Sequence, residues 1–132
     1  NKGEQMSNIQ FSHVDFNAPR TELHDLLNLT GAEVSINRLP AGVSVPFVHA
    51  HTENEELYVV LDGSGVVFVD GVEKAIAKGD CFCIAPEGQR CLKASEQSPL
   101  TYLCLQTKVG SLSHFTMTDA VVREDFTKPS WL

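Results

Sequence analysis

The sequence predicts an all-β fold, a sandwich or a barrel, in a single domain. Short segments rich in β-branched and aromatic residues recur along the chain, and Gly, Pro, Asn and Asp turn signals separate them about every eight to twelve residues. The chain has 132 residues, which suits one hydrophobic core. With 42% hydrophobic and 20% charged residues, its composition is that of a folded globular protein.

The N-terminal segment, taken as residues 6–31, carries two local patterns. Residues 1–5 precede the first methionine and are left out of the fold prediction. Residues 9–16 alternate like a strand, which we expect to cover an otherwise exposed barrel edge. Residues 21–27 predict one short helix with a threonine N-cap and leucines on one face, and Gly31 is expected to end it.

The barrel core is predicted over residues 32–107. Asp70-Gly71 is the strongest hairpin signal, because both central residues of such a turn need a positive φ. The run Asp62-Gly63-Ser64-Gly65 is expected to turn the chain between two strands. The segments expected to be extended are residues 34–39, 47–51, 56–61, 66–69, 72–77, 81–84, 90–93 and 100–106.

Residues 108–132 are less regular and are predicted to form an irregular C-terminal extension. Residues 118–123 are expected to form one or two helical turns. We expect Phe126 and Trp131 to pack onto the barrel or onto a second subunit, because large aromatic side chains are seldom left in solvent.

The charge and hydropathy of the chain exclude two classes of partner. A nucleic-acid surface needs a basic face, whereas the formal net charge is -7. There is no polybasic patch for anionic lipid, and no apolar run approaches the ~20 residues of a membrane span. We therefore expect neither nucleic acid nor a membrane as a partner.

Four cysteines, Cys81, Cys83, Cys91 and Cys104, are embedded in predicted strands. They are interpreted as reduced, buried thiols that act as small apolar residues, which predicts a cytoplasmic protein. The alternative is zinc binding by Cys81 and Cys83, but the second cysteine pair of a structural zinc site is missing.

The residues that carry chemistry are concentrated in one stretch. His49 and His51 are two residues apart, and Glu56 follows five residues later. Side chains at positions i and i+2 of a strand point to the same face, so both imidazoles can aim at one point. Two histidines and a carboxylate are the ligand set of open-sided iron sites and also suit manganese, nickel or zinc.

Residues 42–63 resemble the first motif of the cupin superfamily, which is a glycine, a His-X-His pair, a glutamate and a second glycine. Gly42, His49, His51, Glu56 and Gly63 match it, with six residues between the glutamate and the second glycine. The resemblance implies that Glu56, rather than its neighbour in the preceding position, is the third metal ligand. Strand alternation then sends Glu56 to the inner face.

Residues 79–90 resemble the second cupin motif, with Gly79-Asp80, a short strand and a Pro-X-Gly turn at residues 86–88. The family places a histidine ligand after this turn, and this chain has none between His51 and His114. An ungapped count puts Arg90 there, whereas anchoring on the turn puts Cys91 there. Arg90 is preferred and would hold an anionic group, because guanidinium cannot ligate a cation. Cys91 is the alternative fourth ligand.

The resemblance implies a small antiparallel jelly-roll β-barrel, often a homodimer, with a divalent metal (Fe, Mn, Ni or Zn) in its mouth. Tyr58 and Phe47 are predicted to fill the barrel or to form an aromatic wall for a small ligand, with Gln106 as a polar anchor. The predicted function is a metal-dependent isomerase or dioxygenase acting on a sugar, sugar phosphate or keto acid. The alternative is a non-catalytic small-molecule-binding or sensing protein, with or without a metal.

Overall fold

The structure is a computed structural model that describes residues 4–5, 8–124 and 127–132. The described residues are mostly β-strand, with one short α-helix near the N-terminus and a short 3-10 helix near the C-terminus. The elements are β1 (Glu4–Gln5), β2 (Gln10–Phe11), β3 (Arg20–Glu22), α1 (Leu23–Leu27), β4 (Glu33–Leu39), β5 (Asn54–Val69), β6 (Val72–Ala77), β7 (Cys81–Ile84), β8 (Arg90–Ala94), β9 (Leu100–Lys108) and the 3-10 helix (Thr116–Thr118).

Strand β5 organises the barrel, because each of its halves belongs to a different layer. Its first half pairs with β7 and β9, and its second half pairs with β6 and β8. Strand β9 continues the first layer to β4, and β4 continues it to β3. Every strand pair among the described residues is antiparallel. The all-β prediction is therefore confirmed.

The predicted turn at Asp62-Gly63-Ser64-Gly65 is wrong, because β5 runs through it as one strand of 16 residues. A bulge between Val60 and Asp62 shifts the register there and lets the strand cross from one layer to the other. Gly63 has φ 79°, and a Cβ at this position would lie 1.8 Å from the Pro99 carbonyl oxygen. The glycine-rich signal therefore marks a bend with close backbone packing instead of a chain reversal.

The hairpin predicted at Asp70-Gly71 is confirmed. Both residues have positive φ, 50° and 86°, and Val69 pairs with Val72 across the turn. The Asp70 carboxylate also accepts a hydrogen bond from the backbone N–H of Gln89 at 2.8 Å, so the turn is tied to the segment that enters β8.

The core lies between the two layers. Alternation in β5 buries Glu56, Tyr58 and Val60 on the inner face, as predicted, while Leu57 is exposed on the outer face. The buried apolar residues that form the core are Tyr58, Val60, Val67, Ile76, Ile84, Leu92, Ala94, Leu100, Tyr102 and Cys104.

The N-terminal segment differs from its prediction. Residues 9–16 contain only the two strand residues of β2, which pairs with β1 and not with the barrel. Residues 20–22 form β3, which takes the barrel edge beside β4, so α1 is shorter than predicted and begins at Leu23. Asn28, in the left-handed conformation at φ 54°, ends the helix before Gly31 is reached.

The tail also departs from expectation. Residues 116–118 form the 3-10 helix, and the helical turns predicted for residues 118–123 do not form. Trp131 is 83% exposed and does not pack on the barrel, whereas Phe126 lies outside the described residues. No helix of the described part of the chain has the length and apolar character needed to cross a membrane.

The four cysteines are free, as predicted, but their burial is not uniform. Cys104 is buried and Cys91 is half-buried, while Cys81 and Cys83 are exposed. The prediction of buried thiols is therefore wrong for the two cysteines of β7. The reason is that β7 lies at the edge of its layer, where it pairs only with β5 among the described strands, and its outward-facing positions are exposed.

Candidate metal centre and cavity

Residues 43–51 are held along β8 by alternating backbone hydrogen bonds. The His49 N–H donates to the Arg90 carbonyl at 3.1 Å, and the Arg90 N–H donates to the His49 carbonyl at 2.9 Å. The His51 N–H donates to the Pro86 carbonyl at 2.7 Å. This extended path, predicted for residues 47–51, brings both imidazoles to the cavity, with ring centroids 5.1 Å apart and ring planes at 77°.

Three side chains converge at this point, because β5 presents Glu56 to the two imidazoles. His51 Nε2 lies 3.2 Å from Glu56 Oε2, and His49 Nε2 lies 4.0 Å from Glu56 Oε1. One ligand atom from each residue lies within 4.8 Å of the other two. Bonds of about 2.1 Å place two ligands of one ion about 3.0–4.2 Å apart, so the distances of 3.2 and 4.0 Å between the carboxylate oxygens and the two imidazoles fit a metal centre.

Unsatisfied polar atoms give a second test of the fit. Among the described residues, His51 Nε2 and His49 Nδ1 are buried and have no hydrogen-bond partner. Buried polar atoms without partners are uncommon in folded proteins, because each costs about 1–3 kcal/mol. A cation beside His51 Nε2 would give this nitrogen a partner. The donor set and the buried nitrogen without a hydrogen bond therefore both fit a bound metal.

The protonation states also suit a cation. Burial lowers the pKa of His49, so the imidazole stays neutral and keeps a lone pair for coordination. Burial alone would raise the pKa of Glu56, but hydrogen bonds from Tyr58 and Arg90 outweigh it and hold the pKa below its usual value. Neutral imidazole and ionised carboxylate are the forms that bind metal.

Glu56 is held by three donors from three strands. The Tyr58 hydroxyl donates to Oε1 at 2.7 Å, Arg90 Nη1 donates to the same oxygen at 2.6 Å, and the Cys104 thiol donates to Oε2 at 3.4 Å. Burial raises the pKa of Cys104 to about 12, so its sulfur remains a protonated donor. The carboxylate is therefore fixed in orientation, with Oε2 toward His51 and Oε1 toward His49.

Arg90 points inward, but its partners differ from those predicted. The side chain is fully buried, and its donors reach Glu56 and the carbonyl oxygens of Gly88, Ala85 and Pro86. A guanidinium occupied in this way has no exposed face for a ligand in the cavity. The predicted role of Arg90 as the residue that holds the substrate's anionic group is therefore corrected, and Arg90 is the charge partner of Glu56.

Cys91, the alternative fourth ligand, borders the cavity but does not join the three ligands. Its thiol donates to the Val45 carbonyl oxygen at 3.2 Å, and among the described residues the metal-ligating cluster contains no cysteine. Cys81 and Cys83, the alternative zinc pair, also fall outside every such cluster that the described residues form.

The three ligands line one side of a cavity of about 420 Å³, a size that suits a small organic molecule. Tyr58 and Gln106 line it, and Tyr58 stacks on Phe82 with ring centroids 5.1 Å apart. Gln106 accepts a hydrogen bond from Asn54 at 3.0 Å. Phe47 is 59% exposed at the rim, so it does not fill the barrel, although it lines the cavity beside His49.

Sequence analysis missed a polar wall of this cavity, formed by Arg20, Ser35 and Asn37. Ser35 and Asn37 are the polar residues of an alternating strand, and such residues are normally assigned to solvent. In β4 they face the cavity, while Ile36 between them is buried on the other face. Three consecutive buried residues show that β4 is covered on both sides, which a single strand pattern does not reveal.

Comparisons with known proteins agree with this architecture. The family model described as Cupin domain matches residues 35–106. An uncharacterized protein from Methanocaldococcus jannaschii is 32% identical over 66 residues, which are 50% of this chain and 52% of that protein. The match thus spans about half the length of this curated relative.

Solved structures extend the agreement to nearly the whole chain. A cupin protein from Bacteroides fragilis is 52% identical, with a TM-score of 0.88 over 90% of this chain and 100% of that one. A sugar phosphate isomerase from a cupin superfamily, from Silicibacter pomeroyi, is 25% identical, with a TM-score of 0.61 over 69% of this chain and 60% of that one. The sequence motifs, the barrel and these matches together establish that the chain belongs to the cupin family.

Proposed function

We propose that this protein binds a divalent transition metal through His49, His51 and Glu56 and acts on a small anionic organic molecule in the adjoining cavity. The observation that carries the proposal is the convergence of three ligand atoms within 4.8 Å, one of them the buried and unpartnered His51 Nε2. Iron, manganese, nickel and zinc all suit two imidazoles and a carboxylate.

The reaction class we propose is an isomerisation, with dioxygenation as the other type that this ligand set serves. Lewis-acid polarisation of a substrate oxygen is the chemistry that such an ion supplies when bound. The support for isomerisation is the likeness to the sugar phosphate isomerase of Silicibacter pomeroyi. In this chain, Tyr58 and Cys104 orient the Glu56 carboxylate, and Phe47 narrows the rim beside His49.

Metal content is the direct test. Protein purified without a histidine tag is analysed for bound metals, and Mn²⁺ and Zn²⁺ affinities are then measured for the wild type and for His51→Ala. We expect the substitution to weaken binding more than about 100-fold, since removal of even a supporting group costs 10- to 100-fold. His114→Ala is the matched control, because His114 is exposed in the tail. Equal affinities in the two variants would refute the metal centre.

A second candidate function is a metal-free, non-catalytic protein that binds or senses a small molecule. The observation that favours it is the Arg90–Glu56 ion pair, which already balances the charge of the carboxylate without any cation. Assays of metal-loaded protein with sugar phosphates, keto acids and dioxygen separate the two candidates. Turnover that depends on metal supports the enzyme, and ligand binding without turnover supports the binding protein.

Four further expectations accompany the proposal. The chain is proposed to act as one domain over residues 1–132, with barrel core 32–107, as a cytoplasmic homodimer that binds no nucleic acid. Light scattering at micromolar concentration measures the subunit number, and a monomer would contradict the dimer. The net charge of -7 supports the absence of nucleic-acid binding, which a gel-shift measurement tests.

A further inference from the structure

The side of the cavity formed by β3 and β4 carries one cationic side chain. Arg20 in β3 lies opposite Asn37 in β4, Asn37 lies opposite Tyr102 in β9, and all three line the cavity. Strand β9 pairs in turn with β5, which carries Glu56. The cavity therefore has a metal ligand on β5 and a cationic side chain on β3, joined by the inner face of one curved layer.

The Arg20 guanidinium is held in place by buried neutral groups. Its Nη1 donates to Asn37 Oδ1 at 2.6 Å, and Asn37 Nδ2 in turn donates to Ser35 Oγ at 2.9 Å. Asn37 and Ser35 are only 5% and 3% exposed. Arranged in this way, the two residues orient the guanidinium without neutralising its charge, which is the arrangement expected for an arginine that binds an anion.

The guanidinium keeps donors for a ligand. Its side chain is 50% exposed, and within the described part of the chain its partners are Asn37 and Glu22, the latter at 3.3 Å. Two of the five N–H donors are thus used. Both side chains of the pair with Glu22 are exposed to solvent, and exposed ion pairs are weak, so an incoming anion competes with it readily.

Arg90 offers the comparison within the same barrel. It is fully buried, and its donors reach Glu56 and three backbone carbonyls, so it presents no donor to the cavity. Among the described residues that line the cavity, Arg20 is the one arginine or lysine.

We infer that Arg20, positioned by Asn37, binds the anionic group of the ligand, a carboxylate or a phosphate monoester, while a ligand oxygen at the other end meets the metal centre. This inference rests on the proposed function for its metal end. Arginine suits the role because its planar fork donates two parallel hydrogen bonds to carboxylate or phosphate. The cavity volume of about 420 Å³ limits such a ligand to a small organic acid or sugar phosphate.

The test measures binding of three probes by calorimetry, in metal-free and in Mn²⁺-loaded protein. Malate carries carboxylates, glycerol 3-phosphate carries a phosphate, and glycerol carries no charge, so the two anion sources are compared directly. The variants are Arg20→Gln, Arg20→Lys and, as the matched control, Arg38→Gln. Arg38 is the next arginine along the chain, and it lies outside this cavity, beside a different surface cleft.

We expect Arg20→Gln to weaken at least one of the anions by roughly 10- to 100-fold, because a charged hydrogen bond contributes about 1.5–3 kcal/mol. Arg20→Lys should recover the affinity for phosphate better than the affinity for carboxylate, since lysine keeps the charge and lacks the two parallel donors of the guanidinium. Arg38→Gln should stay within about twofold of the wild type. Circular dichroism of each variant confirms that the barrel is folded.

Two outcomes overturn the inference, and a third separates it from the proposed function. Equal anion affinities in Arg20→Gln and Arg38→Gln refute the role of Arg20, and so does a wild type that binds neither anion. If Mn²⁺ does not bind the wild type but Arg20 still decides anion affinity in the metal-free protein, the metal centre fails and this inference stands.

Discussion

Replacement of Arg90 by methionine is expected to destabilise the barrel far more than loss of an ordinary arginine. Methionine is unbranched and uncharged, so the change removes the guanidinium while an apolar side chain fills much of the remaining space. Arg90 is fully buried, and its Nη1 lies 2.6 Å from Glu56 Oε1. The substitution therefore leaves Glu56 as a buried carboxylate without its charge partner.

The magnitude follows from the contacts that remain. Removal of one member of a buried ion pair costs about 3–5 kcal/mol. The carbonyls of Ala85 and Pro86 keep other donors, the N–H groups of Gly88 and His51. The Gly88 carbonyl loses Arg90 Nε, its partner at 2.9 Å, and an unsatisfied buried group costs about 1–3 kcal/mol. We expect a loss of about 4–8 kcal/mol, a large part of the 5–15 kcal/mol that stabilises an ordinary domain.

The assay is urea unfolding of metal-free Arg90→Met, Glu56→Gln and the double variant, with Arg123→Met as the control. Arg123 lies exposed in the tail, so its loss should change the unfolding free energy by less than about 0.5 kcal/mol. If the unpaired charge is the cause, Glu56→Gln should restore part of the stability lost in Arg90→Met. A cost below about 1 kcal/mol for Arg90→Met, or additive effects in the double variant, would refute the reasoning.

Three other measurements check separate parts of the structure. Gly63→Ala should lower the unfolding free energy by about 3 kcal/mol and Gly71→Ala by only about 1 kcal/mol. Both glycines have a positive φ, but of the two only Gly63 lies where a Cβ would meet backbone. Equal urea midpoints for the two variants would contradict this. Iodoacetamide at pH 8 should label the two exposed cysteines of β7 and spare Cys104, whose pKa burial raises to about 12, as peptide mass spectrometry shows. The pKa of Glu56 is lower in the folded state than in the unfolded state, so as pH falls the unfolded state is protonated at Glu56 first. The unfolding free energy should therefore drop between the usual glutamate pKa and that lower value. Glu56→Gln should flatten this part of the pH profile in metal-free protein.

The features that the sequence predicted well are those set by local backbone geometry and strand period. Asp70-Gly71 forms its hairpin because only a few residue types tolerate two consecutive positive φ values. Glu56 faces inward with Tyr58 because a period of two leaves no other choice once one face is buried. The His-X-His spacing places both imidazoles at the cavity for the same reason, even though residues 47–51 join β8 through one bridge only.

The features that it predicted poorly depend on what other segments cover. The bend at Gly63 looks like a turn in sequence, and only the packing of Pro99 against it shows that the strand continues. Ser35 and Asn37 look solvent-facing until Arg20 and Tyr102 are brought beside them by pairing across three strands. Such pairings join residues far apart in the chain, so a local pattern carries no information about them.

The charges of the site predict that metal binding and anion binding are linked. Glu56 and Arg90 together are neutral, and the pKa of His49 is lowered. Among the described residues that line the cavity, Glu56 is the one carboxylate, so a divalent cation would leave an excess of positive charge on this partly buried wall. A ligand that brings negative charge relieves this excess, whereas a neutral ligand does not. Metal and anion should therefore bind cooperatively, each raising the affinity for the other by the same factor. The calorimetric comparison of malate with and without Mn²⁺ measures that factor, and a value of one would refute this charge argument.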